Sequence, residues 1–294
     1  MPLNQKHLYT ILHKLPTALQ ELVGNALGDT GFSGYLKASK AITLEDQKLA
    51  NDFLEVAKQF SVAPISNFYV GAIAVGNSGN LYFGANMEFV GVPLSASIHA
   101  EQSAVMNAWL HEEKGIQALH VSELPCGHCR QFLLELSNAA SLPITIANKK
   151  YVLTDLIPHH FGANREPGQG LLDSPRQALK SVQVLEKDQH RQALNAAEQS
   201  YTPHTKNKQG FIIEDANGTL YEGRTAESAA FNPTVLAVTS ALNQRNLSAN
   251  REVAINTCVC AQVASASHSQ NSIASALLKS ITSAPVEYID LKFA

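Results

Sequence analysis

Apolar residues recur at two periods along the chain, and the alternation between the periods sets the expected order of elements. Leu8, Ile11, Leu12, Leu15, Leu19 and Leu22 fall at helical spacing, with Pro16 placed to bend or divide the run. A second helix is expected where Leu49, Phe53, Val56 and Phe60 share a face, behind a start formed by Thr43 with Glu45 and Asp46. Phe68 to Val75 and Leu81 to Phe83 read as strands around the turn residues 76–80. His99 to Lys114 turns helical again, with Gly115 as its cap. Ile116 to Val121 then reads as a strand, Cys126 to Leu136 as a helix and Pro143 to Ala147 as a strand. Such alternation predicts an α/β fold, a sheet sandwiched between helices.

The pattern then repeats. Pro64, Gly71, Gly79-x-Leu81-Tyr82-x-Gly84 and Glu88 return as Pro203, Gly210, Gly218-x-Leu220-Tyr221-x-Gly223 and Glu227, all displaced by 139 positions. A shared gapless offset signals duplication of a whole sheet-and-helix unit. Glycines and prolines gather between Phe161 and Pro175, where a linker is expected. The predicted organisation is a helical segment over 1–45, a first unit over 46–160, a linker over 161–185 and a second copy over 186–294. Each unit is expected as a three-layer α/β/α domain.

With 294 residues, 45% of them hydrophobic, the chain can bury such cores without disulfide staples. Only 16% of residues are charged, which suggests surface hidden in a subunit contact. Basic and acidic residues number 22 and 25, net −3, without a Lys/Arg block, so no nucleic-acid partner is expected. The first residues lack a secretory pattern and no window suits a membrane span, so a cytoplasmic location without membrane contact is expected. Four cysteines in such a chain point to metal binding or catalysis.

Two short segments carry the chemistry: His99-Ala100-Glu101 and Pro125-Cys126-Gly127-His128-Cys129. One imidazole and two thiols make three zinc ligands and leave the fourth tetrahedral position for water, whose protons the spare carboxylate of Glu101 can move. Cys126 and Cys129 project to one side of a first helical turn, where the helix end favours thiolate. His99 and Glu101 diverge around a helix axis, so both reach one metal only if it lies between the helix starts at His99 and Cys126. Arg130 is placed to donate to a ligand sulfur, and His128 is expected to face away. The Cys-Gly-His-Cys spelling also suits a thiol-disulfide exchanger, and a noncatalytic zinc protein is the other alternative. Extending the offset to the ligands lands on Val238, Ser240, Ser265 and His268, so the second copy has no such site. Cys258 and Cys260 are expected as small buried hydrophobes on opposite faces of a strand.

The paired motifs are the signature of zinc-dependent nucleobase deaminases, and the chain resembles the cytidine deaminases, in their two-domain bacterial form. The resemblance covers most of the sequence, including Ser66-Asn67-Phe68-x-Val70-Gly71-Ala72, Asn86-x-Glu88 and the degenerate Ala229-Ala230-Phe231-Asn232-Pro233. It implies duplicated cytidine-deaminase-like domains and hydrolysis of free cytidine and deoxycytidine to their uracil counterparts with release of ammonia. One Zn2+ per chain is implied on His99, Cys126 and Cys129, with Glu101 as the catalytic proton carrier. The resemblance further implies that Asn86 and Glu88 hold the ribose, Phe68 walls the pocket and the Ala100 N–H meets the pyrimidine O2. A homodimer with shared active sites is implied, Phe161 and the Phe231 neighbourhood being the partner's contributions. Another amino-substituted base, or a nucleotide, is the alternative substrate; a nucleotide would call for a phosphate clamp, and none stands beside the motifs.

Overall fold

In the computed structural model, residues 5–28, 32–38, 44, 46–162, 165–248, 250–266 and 268–294 are described. The chain opens with α1 (Gln5–Leu12) and α2 (Thr17–Gly28), divided at Pro16, then β1 (Tyr35–Leu36). There follow α3 (Gln47–Lys58), β2 (Gly71–Gly76), β3 (Leu81–Ala85), α4 (Ala100–Leu110), β4 (Ile116–Val121) and α5 (Gly127–Leu133). The first half closes with β5 (Pro143–Ile146), β6 (Lys149–Val152) and the one-turn α6 (Leu153–Leu156). The second half comprises β7 (Leu179–Ser181), α7 (Asp188–Gln199), β8 (Gln209–Asp215), β9 (Leu220–Arg224), α8 (Ala237–Asn246), β10 (Ile255–Val263), α9 (Asn271–Ile281) and β11 (Val286–Phe293).

Two sheets result, ordered β1-β3-β2-β4-β5-β6 and β7-β11-β10-β8-β9. Their ladders are antiparallel except β4 with β5 and β10 with β11. Side chains alternate across β2: Ile73 packs with Phe53, Leu54 and Ala57 of α3, whereas Ala72 and Ala74 join the core that holds Ala104 and Ala108 of α4. In the second half Ile212 packs with Ala193 and Ala197 of α7, while Phe211 and Ile213 share the core of α8. The α4 and α8 faces belong to one continuous core. The molecule is therefore a duplicated α/β/α arrangement whose two middle layers are fused.

The repeated glycines are the contacts on which this layering rests. A side chain at Gly71 would stand 2.5 Å from the Leu54 carbonyl oxygen, and one at Gly210 would stand 2.2 Å from that of Ala193, again 139 positions on. Gly84 meets α4 and Gly223 meets α8 in the same way. Only a residue without Cβ lets these helices lie against the sheet backbone.

Several expected boundaries move for tertiary reasons. Asp46 caps α3 by accepting from the Lys48 and Leu49 N–H groups; Thr43 and Glu45 lie outside the described residues. Strand β2 begins at Gly71, not Phe68, because Asn67 turns the chain at φ 54°. The helix after His99 ends at Leu110, where His111 Nε2 binds Ser33 Oγ at 3.0 Å and the ring packs on Tyr35; Gly115 is not its cap. The next helix stops at Leu133 rather than Leu136. Leu22, expected on the apolar face, is exposed. From Ile157 to Ala178 the described residues form no helix or strand, yet Leu171 and Leu172 are buried. Cys258 and Cys260 are buried as expected, but both face the core shared with α8, because residues two apart on a strand point the same way.

The offset also needs correction beyond Glu227. His99 caps α4 and Leu236 caps α8, a displacement of 137, since the second loop is two residues shorter. Glu101 thus corresponds to Val238. Cys126, which caps α5, corresponds to Gln270, which caps α9. Among the described residues of the second half the ligand set is still absent.

Candidate metal centre and substrate cavity

His99 and Cys126 stand at the starts of α4 and α5, and Cys129 lies one turn into α5. Their donor atoms lie within 4.8 Å of one another, the one such group of three among the described residues. Cys126 Sγ is 3.4 Å from His99 Nδ1 and 3.6 Å from Cys129 Sγ. A tetrahedral ion with bonds of about 2.3 Å to sulfur and about 2.0 Å to nitrogen spaces its donors by roughly that much. Two soft thiolates and an imidazole therefore fit zinc. The hydrogen bond between the Cys126 and Cys129 sulfurs lowers the Cys126 pKa and raises that of Cys129, and His99 is held upward by the same Cys126 sulfur. Without a metal the pair shares a proton; a cation among the three atoms would release it.

Glu101, on the first turn of α4, is 4% exposed and faces Cys129 and His99. Burial pushes its carboxyl up, against its own backbone N–H and the Cys129 thiol, which pull it down. It sits at the edge of a cavity of about 430 Å³ whose lining includes Phe68, Asn86, Glu88, Ala100 and Cys126. None of the described lining residues is Lys or Arg, and three are Glu: 88, 101 and 123. Phe68 is 55% exposed on a loop rather than packed in a strand.

Asn86 and Glu88 are engaged with the protein's own backbone. Asn86 Oδ1 accepts from the Val70 N–H at 2.9 Å and its Nδ2 donates to the Phe68 carbonyl at 2.8 Å. Glu88 Oε2 accepts from the N–H groups of Ile65 and Ser66, and Oε1 from the Ser66 hydroxyl. Burial alone would raise Glu88; the Ser66 hydroxyl and these N–H groups outweigh it and hold the carboxylate below the usual range. Both residues thus fix the 65–70 loop that carries Phe68. Glu227 does the same in the second half, accepting from the N–H groups of His204 and Thr205. There Asn207 takes the place of Phe68 and Thr225 that of Asn86.

Two expected roles are not seen. Arg130 donates to the Pro125 and Leu156 carbonyls, at 2.7 and 2.6 Å, and not to a sulfur. His128 does not face away: its ring stacks on that of His99 with centroids 5.6 Å apart. Phe161 and Phe231 are 66% and 61% exposed and do not line the cavity of their own chain. Sequence reasoning gave no role to Ser66 or Gln102. Ser66 shares its hydroxyl with Thr205 at the repeat offset, which was the available signal. Gln102 accepts from the His99 N–H and donates to the Pro233 carbonyl, a link across the halves that no local pattern announces.

Family models described as the cytidine and deoxycytidylate deaminase zinc-binding region match residues 44–142 and 153–275. The chain is 43% identical to the cytidine deaminase of Pectobacterium atrosepticum over 80% of this chain and 81% of that one. It belongs to the cytidine deaminases. Another member, from Aeromonas hydrophila, is 39% identical over 96% of this chain and 97% of its own. A solved cytidine deaminase from Mycobacterium tuberculosis is 29% identical, covers 40% of this chain and 98% of its own, and has a TM-score of 0.37. This cytidine deaminase is a zinc-dependent hydrolase with one zinc site per chain. The two matches fall one in each half, in agreement with the duplicated architecture.

Proposed function

We propose that the enzyme hydrolyses free cytidine and 2′-deoxycytidine to uridine and 2′-deoxyuridine, releasing ammonia, as a step of pyrimidine salvage in the cytoplasm. The observation that carries this reading is a buried carboxylate beside three metal donors, in a cavity whose described lining offers no lysine or arginine for a phosphate. An uncharged nucleoside is favoured over a nucleotide by that lack and by the three glutamates.

His99, Cys126 and Cys129 hold the zinc, which when bound supplies Lewis acidity toward water. Glu101 takes a proton from the attacking water and passes it to ring N3, then takes the second from the new 4-hydroxyl as the carbonyl forms and delivers it to the amino group, which departs as ammonia. Its burial suits this work, because a carboxyl displaced upward holds a proton at neutral pH more readily than an exposed one. The Ala100 N–H, at the start of α4, meets the pyrimidine O2. Phe68 walls the base, and Asn86 and Glu88 hold the sugar from a loop frame they also maintain. Two copies pair, each lending Phe161 and the Phe231 loop to the other's cavity.

Glu101→Gln tests the assignment. Ultraviolet spectra should show conversion of cytidine by the native enzyme, and a fall in kcat of at least ~10³-fold in the variant with zinc still at one per chain. Retained turnover would remove Glu101 from the chemistry. Native protein converting only cytidine monophosphate would overturn the nucleoside reading. Light scattering reads the pairing, and a monomer at working concentration would overturn it.

A further inference from the structure

The segments that carry the exposed rings of Phe161 and Phe231 stand side by side: a side chain on Gly162 would lie 3.2 Å from the Ala229 Cβ. Neither ring lines the cavity of its own chain, yet both segments are fixed, and by groups on the helices that bear the metal donors. Gln131, on α5 two residues after Cys129, clamps Phe161 by both main-chain groups. Its Nε2 donates to the Phe161 carbonyl at 2.7 Å and its Oε1 accepts from the Phe161 N–H at 3.2 Å. Gln102, on α4 three residues after His99, donates from Nε2 to the Pro233 carbonyl at 2.8 Å, while its Oε1 accepts from the His99 N–H at 3.2 Å. The His128 ring is hydrogen-bonded to the Asn232 backbone, and Glu135 Oε1 accepts from the Ala229 N–H at 2.7 Å.

Both amides are buried, Gln102 at 2% exposed and Gln131 at 8%. An amide tied at its oxygen and its nitrogen fixes backbone rather than reaching a ligand. Phe231 needs such fixing. At φ 59° it lies in the left-handed region, which a residue with a Cβ keeps only where its surroundings over-determine it. The mouth of the substrate cavity presents Phe68, Leu94 and Leu124 as exposed apolar groups. An apolar rim and a fixed pair of exposed aromatics on one chain are two patches that a twofold pairing sets against each other.

We infer that Gln102 and Gln131 are positioning residues for the partner's active site: from the helices that carry one chain's metal donors, they set the aromatic walls lent to the other. This rests on the paired, wall-lending arrangement proposed above. The two cavities of a pair are then one construction, since each wall is mounted beside the lender's own metal centre. Loosening either glutamine raises the KM of the partner's cavity and spares that of the lender.

Mixed pairs test this, made by coexpressing two differently tagged, full-length chains in zinc and purifying through both tags. In the reference pair one chain is native and the other carries Glu101→Gln, so only the native cavity turns over and its borrowed walls come from the inactive chain. Adding Gln102→Met or Gln131→Met to the inactive chain should raise the KM for cytidine about fivefold, the worth of one hydrogen bond, with kcat per live site within about twofold. Gln131→Met on the live chain, opposite Glu101→Gln alone, should leave the KM at the reference value. A KM shift that follows the live chain, or is equal in both placements, overturns the inference. The two glutamines are read separately, so a variant that fails to assemble leaves the other to decide. Phe161→Ala with Phe231→Ala on the inactive chain reports on the lending itself. If that chain leaves the KM unmoved, or no mixed pair is recovered, the pairing reading fails and the inference with it. If it raises the KM and neither glutamine variant does, the inference alone fails.

Discussion

Glu88 and Glu227 make the same backbone contacts in two settings, of which one alone, among the described residues, has a cluster of metal donors beside it. The shared task is to pin a loop; whatever Glu88 adds for a sugar, it adds through a carboxylate already held in place. Ser66 supplies the hydroxyl of that arrangement. Ser66→Ala should raise the KM for cytidine roughly tenfold, the worth of about 1.4 kcal/mol from one charge-assisted bond, and leave kcat nearly unchanged. A fall in kcat at constant KM would contradict this. His120 on β4 offers a pH test of another kind. Burial, with Lys150 adding to it, lowers its pKa to about 4, and its Nδ1 is buried without a partner. Between about 6.5 and 4 the unfolded chain holds a proton that the native one refuses, so stability falls as the pH drops through that window. Urea unfolding should show the native protein losing about 2 kcal/mol more than His120→Gln between pH 7 and pH 5. Equal losses would mean that the ring is protonated in the folded state.

Helices α4 and α8 approach their sheets through Gly84 and Gly223, where a methyl group would lie 2.3 Å from the Ala100 carbonyl and 2.0 Å from the Ala237 carbonyl. Alanine at either position should cost ~1–3 kcal/mol by forcing helix from sheet. Only Gly84→Ala should also lower kcat and loosen zinc, because only α4 begins at the metal donors. Comparable zinc loss in Gly223→Ala would show that the strain is not local. The same elements show what could be read beforehand. The metal donors were legible because imidazole, thiol and carboxylate at those spacings have few other uses, and the repeat was legible because glycines that admit a helix cannot drift. Where α4 ends was not, since Ser33 and Tyr35 decide it from a distant part of the chain. That Asn86 and Glu88 face their own backbone was equally invisible, since a polar side chain written beside a site does not reveal its partners. Cys258 and Cys260 needed no structure, only the period of a strand applied correctly.

The two halves are joined by buried polar groups as well as by a common core. Glu135, 1% exposed, accepts from Arg165 at 3.0 and 2.7 Å, from the Tyr201 hydroxyl at 2.9 Å and from the Ala229 N–H at 2.7 Å. Arg224 of the second half lies over Trp109 of the first and pairs with Glu112 at 2.9 Å. Glu135→Ala strands Arg165 and Tyr201, and should destabilise the protein by ~3–5 kcal/mol in chemical unfolding, with Glu135→Gln costing less. A neutral result for alanine would mean that water replaces the carboxylate. Ser103 on α4 and Asn243 on α8 bond to each other at 2.5 Å within the fused core. A molecule with its catalytic helix as an inner layer has no part that ages separately. The working life of a warmed sample is then a property of the silent half too: thinning the core at Leu277 on α9 should shorten the half-life of deamination much as thinning it at Val105 beside the metal does.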